Sequence, residues 1–174
     1  FSAEVQSFII KVNGKESHAA EPENGINPAW AISKIIAEIA SLEVVNTEDE
    51  NFTIMTPVHV SMGQKSYGIS PAHGELHYTL RAWDNPKMEA VKAHIVNVAA
   101  EIGSQYQLEH TIEWIEYFPA SINDKKCNDY VVKAANENNY NLIQKPHPFK
   151  FGEDFGWYAK EYKTAMFGLG AGLE

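Results

Sequence analysis

The stretch between Asn13-Gly14 and Asn27-Pro28 most constrains the fold, because it separates two segments of different periodicity. Glu4 to Val12 alternates with period two, which predicts a half-buried strand. Asn27 suits a helix N-cap and Pro28 the first helical position, so a helix is predicted at about residues 28–43. Its apolar residues recur at helical spacing: Ile32, Ile35, Ile36, Ile39 and Leu42. His18 is therefore predicted to lie on the loop between strand and helix.

Further strand and helix patterns complete a recognisable order. They comprise a strand at Phe52–Met62, a strand at Glu75–Trp83, a helix opening at Pro86 behind a cap at Asp84 or Asn85, and a strand at Gln107–Phe118. Pro57 should confine its strand to a sheet edge or a bulge. The order β-α-β-β-α-β predicts an α+β, ferredoxin-like sandwich, in which two helices cover one face of a four-stranded antiparallel sheet.

Composition excludes two classes of partner. The net charge is −9 and the pI about 5.2, so the chain lacks the clustered Lys and Arg that nucleic acid requires. No apolar run reaches the roughly 18 residues of a membrane span, so no membrane partner is expected. The lone cysteine, Cys127, fits a reducing compartment, which predicts a cytoplasmic location.

The sequence changes character after Phe118-Pro119. A helix rich in Asn and Lys is predicted at residues 124–139, with Tyr130 among its apolar positions. A short helix should open near Glu153 or Asp154, where carboxylates suit a helix N-terminus. Residues 164–169 read as a buried strand that precedes a glycine-rich turn.

Three motifs carry a family resemblance. The first runs from Gly14 to Pro28, the second from Gly68 to Arg81, and the third joins Gly152-Glu153-Asp154-Phe155 to the glycine-rich run at 167–172. Together they resemble the M20 metallopeptidases and amidohydrolases, in the aminoacylase-like branch. The resemblance implies that residues 1–118 are a ferredoxin-like lid or dimerisation domain. It also implies that residues 119–174 are an incomplete α/β segment of a zinc-hydrolase catalytic domain.

The resemblance implies a metal-dependent hydrolase of N-acyl amino acids or small peptide amides. Such enzymes use one or two zinc ions, which polarise the amide carbonyl, with a Glu general base. Their ligands come from segments before the lid and from a histidine near the C-terminus. This sequence has no H-x-[DC] motif, no Glu-Glu pair and no histidine after the glycine-rich run. No metal ligand is therefore assigned, and the chain alone is expected to bind no zinc and to be inactive.

The resemblance also assigns site residues. His18 matches the lid histidine that reaches across a homodimer and stabilises the oxyanion in the partner's active site. Arg81 matches a lid arginine that could clamp a substrate carboxylate, although a surface salt bridge is an equal alternative. Gly68 stands where the family usually has a substrate-contacting Asn. Glu153 and Asp154 would line or brace the active-site cleft, or simply cap a helix.

A second class of function stays open from the sequence. The chain could be a non-catalytic dimerisation or ligand-binding module of ferredoxin-like fold. Edge strands and lid helices would form its dimer in either case.

Overall fold

The structure is a computed structural model that describes residues 1–172; Leu173 and Glu174, at the end of the predicted C-terminal segment, lie outside the described residues. The strands are β1 (Glu4–Asn13), β2 (Ser17–His18), β3 (Thr53–Met62), β4 (Ile69–Ser70), β5 (His73–Ala82) and β6 (Glu109–Phe118). The helices are α1 (Ala29–Ala40), α2 (Asn85–Gln105), α3 (Lys125–Glu137) and α4 (Gly156–Glu161).

The main sheet has four strands in the order β3-β5-β1-β6, and every neighbouring pair is antiparallel. Two central strands thus carry the sheet, with β3 and β6 at its edges. Helices α1 and α2 cover one face. The predicted α+β, ferredoxin-like sandwich is confirmed, and so is the predicted order of its elements.

The core lies between that sheet face and the two helices. Phe8 of β1 is fully buried and stacks on Tyr78 of β5, with ring centroids 5.3 Å apart. Ile35 of α1 and Ile95 of α2 are also fully buried. Phe8, Ile10 and Val12 of β1 belong to this core, as the period-two pattern predicted.

Strand β3 carries the predicted proline irregularity. It lies at the sheet edge, and its register against β5 shifts between Pro57 and His59. Beyond Pro57 the strand is exposed throughout, with Val58 61% exposed. The outer side of this strand is bonded only at its beginning, through Thr53 to Val44 and Met55 to Glu43, so within residues 1–172 the half beyond Pro57 leaves an open edge.

Both helices of the sandwich begin within one residue of the predicted positions. The Asn27 Oδ1 accepts a hydrogen bond from the Ala29 N–H at 2.9 Å, and Pro28 has helical dihedral angles (φ −71°, ψ −11°). Asp84 caps α2 by accepting a hydrogen bond from the Lys87 N–H at 3.0 Å. These side chains satisfy amide groups that have no partner within the helix.

The C-terminal segment, residues 119–172, is described by α3, α4 and irregular backbone. The predicted strand at residues 164–169 is wrong: this stretch is irregular, and Leu169 is 77% exposed. It makes two hydrogen bonds to the Asn123 side chain and one to the Asp124 N–H rather than a ladder, because no strand of the described residues runs beside it. Helix α4 begins at Gly156, later than predicted.

Residues 147–150 tie the C-terminal segment to the end of the sandwich. The Ala3 N–H donates to the Phe149 carbonyl at 2.8 Å. The His147 Nε2 lies 2.8 Å from the Glu48 carboxylate. The Arg81 Nη1 donates to the Lys150 carbonyl at 2.8 Å. No helix in residues 1–172 is long and apolar enough to cross a membrane.

Candidate functional site

A two-stranded ribbon, which the sequence patterns did not predict, carries His18. Strand β2 pairs antiparallel with β4, so that His18 lies opposite Ile69. The Ser17 and Ser70 hydroxyls are 2.9 Å apart, and the Ala19 N–H donates to the Gly68 carbonyl at 3.0 Å. The ribbon thus fixes the backbone on both sides of an exposed histidine.

Close backbone approach explains two glycines of the first motif. The Lys15 and Ile26 backbones exchange two hydrogen bonds, of 3.0 and 2.8 Å, which close the loop that contains His18. A Cβ on Gly14 would overlap the Ile26 carbonyl oxygen. A Cβ on Gly25 would lie 2.6 Å from the Ser17 Oγ. Only glycine fits these positions without a shift of the backbone.

The imidazole of His18 is oriented by its own loop. Its Nδ1 accepts a hydrogen bond from the Ala20 N–H at 3.1 Å. In a neutral ring one nitrogen accepts and the other donates, so Nε2 carries the proton. His18 is exposed, which leaves this donor accessible.

Gly68 lies beside His18 in open space. A Cβ on Gly68 would meet nothing within 4 Å. An asparagine would therefore fit there, and what Gly68 lacks is the hydrogen-bonding side chain rather than room for it. The structure thus brings His18 and Gly68 together, as two parts of one surface.

Arg81 lies at the opposite end of the sheet. It occupies the end of β5, whereas the His18 ribbon adjoins the beginning of that strand. The eight residue steps from His73 to Arg81 span roughly 27 Å. Arg81 contacts the Lys150 carbonyl, and no carboxylate of residues 1–172 forms a salt bridge with it. One chain therefore does not place His18 and Arg81 around a single small molecule.

Glu153 braces the junction between the sandwich and the C-terminal segment. Its Oε1 accepts hydrogen bonds from the Ser2 hydroxyl, at 3.3 Å, and from the Ser121 hydroxyl. Its Oε2 accepts from the Phe155 N–H at 2.7 Å. Asp154 is exposed, and its backbone carbonyl accepts a hydrogen bond from the Trp157 N–H at the start of α4.

Glu4 is a buried carboxylate that the sequence interpretation did not single out. It is 1% exposed, and its Oε1 accepts hydrogen bonds from the Tyr117 hydroxyl at 2.7 Å and the Asn85 Nδ2 at 3.0 Å. Burial, followed by the hydrogen bond to Glu4, raises the pKa of Tyr117 well above its ordinary 10.0. The sequence did contain a signal for the burial of Glu4, because its position in β1 is even-numbered, like those of the core residues of this strand.

The described residues do not fit a metal ion. Residues 1–172 contain no group of three His, Cys, Asp or Glu side chains placed to hold one. The rings of His59 and His77 are 5.1 Å apart on adjacent strands, and the His77 Nε2 lies 3.2 Å from the Glu75 carboxylate. No step of a metal-assisted reaction is therefore assigned to these residues.

A comparison with protein-family models assigns this chain to a known family. The family model for the peptidase dimerisation domain, of M20 type, matches residues 4–107. This chain belongs to the M20 family. The match covers β1 through the end of α2 and includes the His18 ribbon and Arg81.

Similar proteins extend the likeness into the C-terminal segment. An uncharacterized hydrolase of Staphylococcus haemolyticus is 26% identical over 166 residues, which cover 95% of this chain and 43% of that protein. The chain thus spans less than half the length of the curated relatives it matches.

Two solved structures show the same fold. One is a dinuclear metal-binding peptidase of the M20 family from Bacillus subtilis, with a TM-score of 0.74 and 23% identity over 94% of this chain and 40% of that one. The other is the aminopeptidase PepT from Bacillus cereus, with a TM-score of 0.77 and 18% identity over 94% of this chain and 42% of that one.

Proposed function

We propose that this chain belongs to a metal-dependent amidohydrolase or peptidase that cleaves N-acyl amino acids or small peptides. Residues 1–118 are its lid and dimerisation domain, and residues 119–174 belong to its catalytic domain. The exposed, backbone-oriented His18 is the observation that carries this proposal. Family membership supports it, because the matched domain is the dimerisation domain of peptidases.

His18 would act as an electrostatic donor. With Nδ1 occupied by the Ala20 N–H, Nε2–H is free to donate to an oxygen that becomes negative as an amide carbonyl is attacked. A donor fixed before the reaction needs no reorganisation at that moment, and removing one such donor typically lowers kcat by about 10²–10³.

Arg81 would bind the substrate carboxylate through its guanidinium group. The hydrogen bond to Lys150 uses Nη1 and leaves other donors free. Because Arg81 lies at the far end of β5 from the ribbon, we place His18 in the partner's active site within a homodimer. Glu153 and Asp154 would then brace the cleft wall from the catalytic domain.

Zinc, as one or two ions, would be held by residues of a longer protein that are outside this chain. The similar Bacillus subtilis peptidase is a dinuclear metal-binding enzyme. This chain's contribution is limited to orienting substrate and donating hydrogen bonds. A cytoplasmic location is part of the same proposal, from the single cysteine.

The decisive assay uses a longer protein that contains this sequence. We expect hydrolysis of N-acetyl amino acids or dipeptides, and we expect His18→Gln to lower kcat by about 10²–10³ with little change in KM. His73→Gln is the matched control, since His73 is exposed beside the ribbon and its imidazole, within residues 1–172, bonds only to the Asn13 side chain. Equal loss in both variants, or no hydrolysis by the parent protein, would refute the proposal.

This chain alone gives a complementary test. Because residues 1–172 offer no three-ligand metal site, we expect no hydrolysis above background when zinc is added. Metal-dependent turnover by the isolated chain would show that its ligand set has been misread.

Dimerisation can be measured on the same chain. We expect sedimentation at micromolar concentration to give a dimer, and Val58→Lys on the open half of β3 to shift it toward monomer. Ile143→Lys, at an exposed position of the C-terminal segment, is the control and should leave the dimer intact. A strict monomer at high concentration would count against His18 acting in a partner.

A further inference from the structure

A cleft of about 330 Å³ separates the end of the sandwich from the C-terminal segment. Glu4, Asn85 and Tyr117 line it from the sandwich, and Lys160 and Lys163 line it from the other side. Its volume lies near the lower limit of small-molecule sites, which occupy roughly 300–1,000 Å³. The cleft shares no lining residue with the His18 ribbon or with Arg81.

The Glu4 carboxylate lacks a cationic partner. Its Oε1 is occupied by Tyr117 and Asn85, whereas within residues 1–172 no hydrogen bond reaches Oε2. No Lys, Arg or His side chain of these residues lies within 4.0 Å of the carboxylate. Buried carboxylates are normally paired with a cation, because desolvating an isolated charge is costly. The cleft therefore offers a fixed anionic group at its wall.

The Lys160 ammonium group lies near the Tyr117 hydroxyl, which donates to Glu4. The Lys160 Nζ lies 3.5 Å from the Tyr117 hydroxyl, 5.0 Å from the centre of its ring and 4.5 Å from that of Trp157. These cation–π contacts hold the ammonium group beside the cleft without neutralising it. Lys160 has no carboxylate partner in the described chain.

The remaining lining is mixed: Pro119, Ile122 and Ala159 are apolar, whereas Asn123, Asp124 and Thr164 are polar or charged. The Asp124 carboxylate also caps α3, since its Oδ1 accepts a hydrogen bond from the Cys127 N–H at 3.1 Å. A metal ion is disfavoured here, because two lysines share the space with the carboxylates of Glu4 and Asp124, and residues 1–172 contain no three ligand side chains placed to hold one. A ligand with one positive end, one negative end and a short apolar branch complements Glu4, Lys160 and the apolar part of the lining.

We propose that this cleft binds a free α-amino acid as its zwitterion, with the ammonium group on Glu4 and the carboxylate on Lys160. The site is separate from the residues assigned to hydrolysis. Cleavage of an N-acyl amino acid or a peptide releases such a zwitterion, but binding to this cleft requires no turnover. Binding and hydrolysis can therefore fail independently.

Calorimetric titration of this chain with three probes tests the charge requirement. L-Leucine carries both charges, 4-methylpentanoate lacks the ammonium group, and L-leucinamide lacks the carboxylate. We expect saturable binding of L-leucine and at least about tenfold weaker binding of the other two, because each loses a hydrogen-bonded charge. In NMR spectra, L-leucine should shift the side-chain amide signals of Asn85.

Variants locate the binding. Glu4→Gln and Lys160→Met should each weaken L-leucine binding by about tenfold or more. Glu4→Gln keeps an acceptor for Tyr117 and Asn85, and its fold is checked by circular dichroism. Lys160 is exposed, so its variant keeps the proposal testable if Glu4→Gln fails to fold.

The controls share chemistry but not location. Lys92→Met removes a lysine held 5.0 Å above the Trp114 ring, and Glu113→Gln removes a surface carboxylate paired with Lys11. Both should bind L-leucine like the unaltered chain. Absence of saturable binding, equal binding of the three probes, or full binding by Lys160→Met would overturn the proposal.

Discussion

Helices α1 and α3 are both amphipathic, yet they end in different environments. Helix α1 buries Ile32, Ile35 and Ile39 against the sheet, whereas α3 buries no residue and leaves Tyr130 61% exposed. This difference shows that a helix with an apolar stripe becomes buried only where another part of the chain provides a surface for that stripe to pack against. In the sandwich, the sheet provides that surface; beside α3, the described residues do not.

The largest expected effect tests this contrast with two isoleucines. Ile35→Ala should lower the free energy of unfolding by about 2–5 kcal/mol, because Ile35 is fully buried and leaves a cavity. Ile122→Ala in the C-terminal segment should change it by no more than about 0.5 kcal/mol, since Ile122 is 66% exposed. Urea denaturation measures both; similar losses would erase the contrast.

A pair of glycines sharpens the comparison inside the motif region. Gly14→Ala should destabilise the chain by about 1–3 kcal/mol, since its Cβ would overlap the Ile26 carbonyl. Gly68→Asn should change stability by no more than about 0.5 kcal/mol, because the space around Gly68 is open. Thermal unfolding followed by circular dichroism distinguishes the two. A stable Gly14→Ala chain would show that the loop closure tolerates a shift.

At the junction between the sandwich and the C-terminal segment, the hydrogen bond from Tyr117 to Glu4 should contribute more to stability than the contact of Lys160 with Tyr117. Tyr117→Phe should cost about 1–2 kcal/mol at pH 7, because the buried Glu4 loses a donor. Lys160→Met should cost less than about 1 kcal/mol, since Lys160 is exposed. A larger loss for Lys160→Met would make the C-terminal contact the dominant one.

Ionisation of Tyr117 should make the stabilising effect of its hydrogen bond to Glu4 depend on pH. The folded pKa of Tyr117 is raised, so its contribution is fully present below the ordinary pKa of 10.0 and is lost as pH rises through the folded pKa. The difference in unfolding free energy between unaltered chain and Tyr117→Phe should therefore shrink above pH 10. Urea titrations at pH 8 and above pH 10 provide the measurement.

The smallest effect comes from two matched helix caps. Asp84 accepts from the Lys87 N–H and Asp124 accepts from the Cys127 N–H, so each caps one helix. Asp84→Ala should lower global stability by about 1 kcal/mol. Asp124→Ala should leave the sandwich transition in place if α3 opens separately, which hydrogen exchange can resolve. A full global loss in both variants would mean that the two regions unfold together.

Periodicity and capping residues predicted most of the sandwich. Period two identified β1 and β5, helical spacing identified α1 and α2, and Pro57 predicted an irregular edge strand; all are confirmed. These signals are local and agree with the long-range packing. The β2–β4 ribbon escaped prediction, because two-residue strands leave no periodic pattern and their pairing depends on the loop closure at Gly14.

The C-terminal segment was harder for a physical reason. Residues 164–169 have the apolar content of a buried strand, but a strand also needs a neighbour for its backbone groups, and residues 1–172 provide none. The candidate site residues also differ in how far the sequence alone identifies them. The sequence indicated His18 and Glu153, while the role of Glu4 depends on Tyr117 and Asn85, which only the fold brings to it.

The separation of His18 from Arg81 has a genetic consequence. Suppose that both side chains act on one substrate and that each active site takes them from different subunits. Two alleles that are each inactive alone can then complement each other. A protein lacking only His18 and a protein lacking only Arg81 could, when produced in one cell, assemble mixed pairs in which one of the two sites holds both side chains. Intragenic complementation of this kind would reveal the arrangement without any purified material.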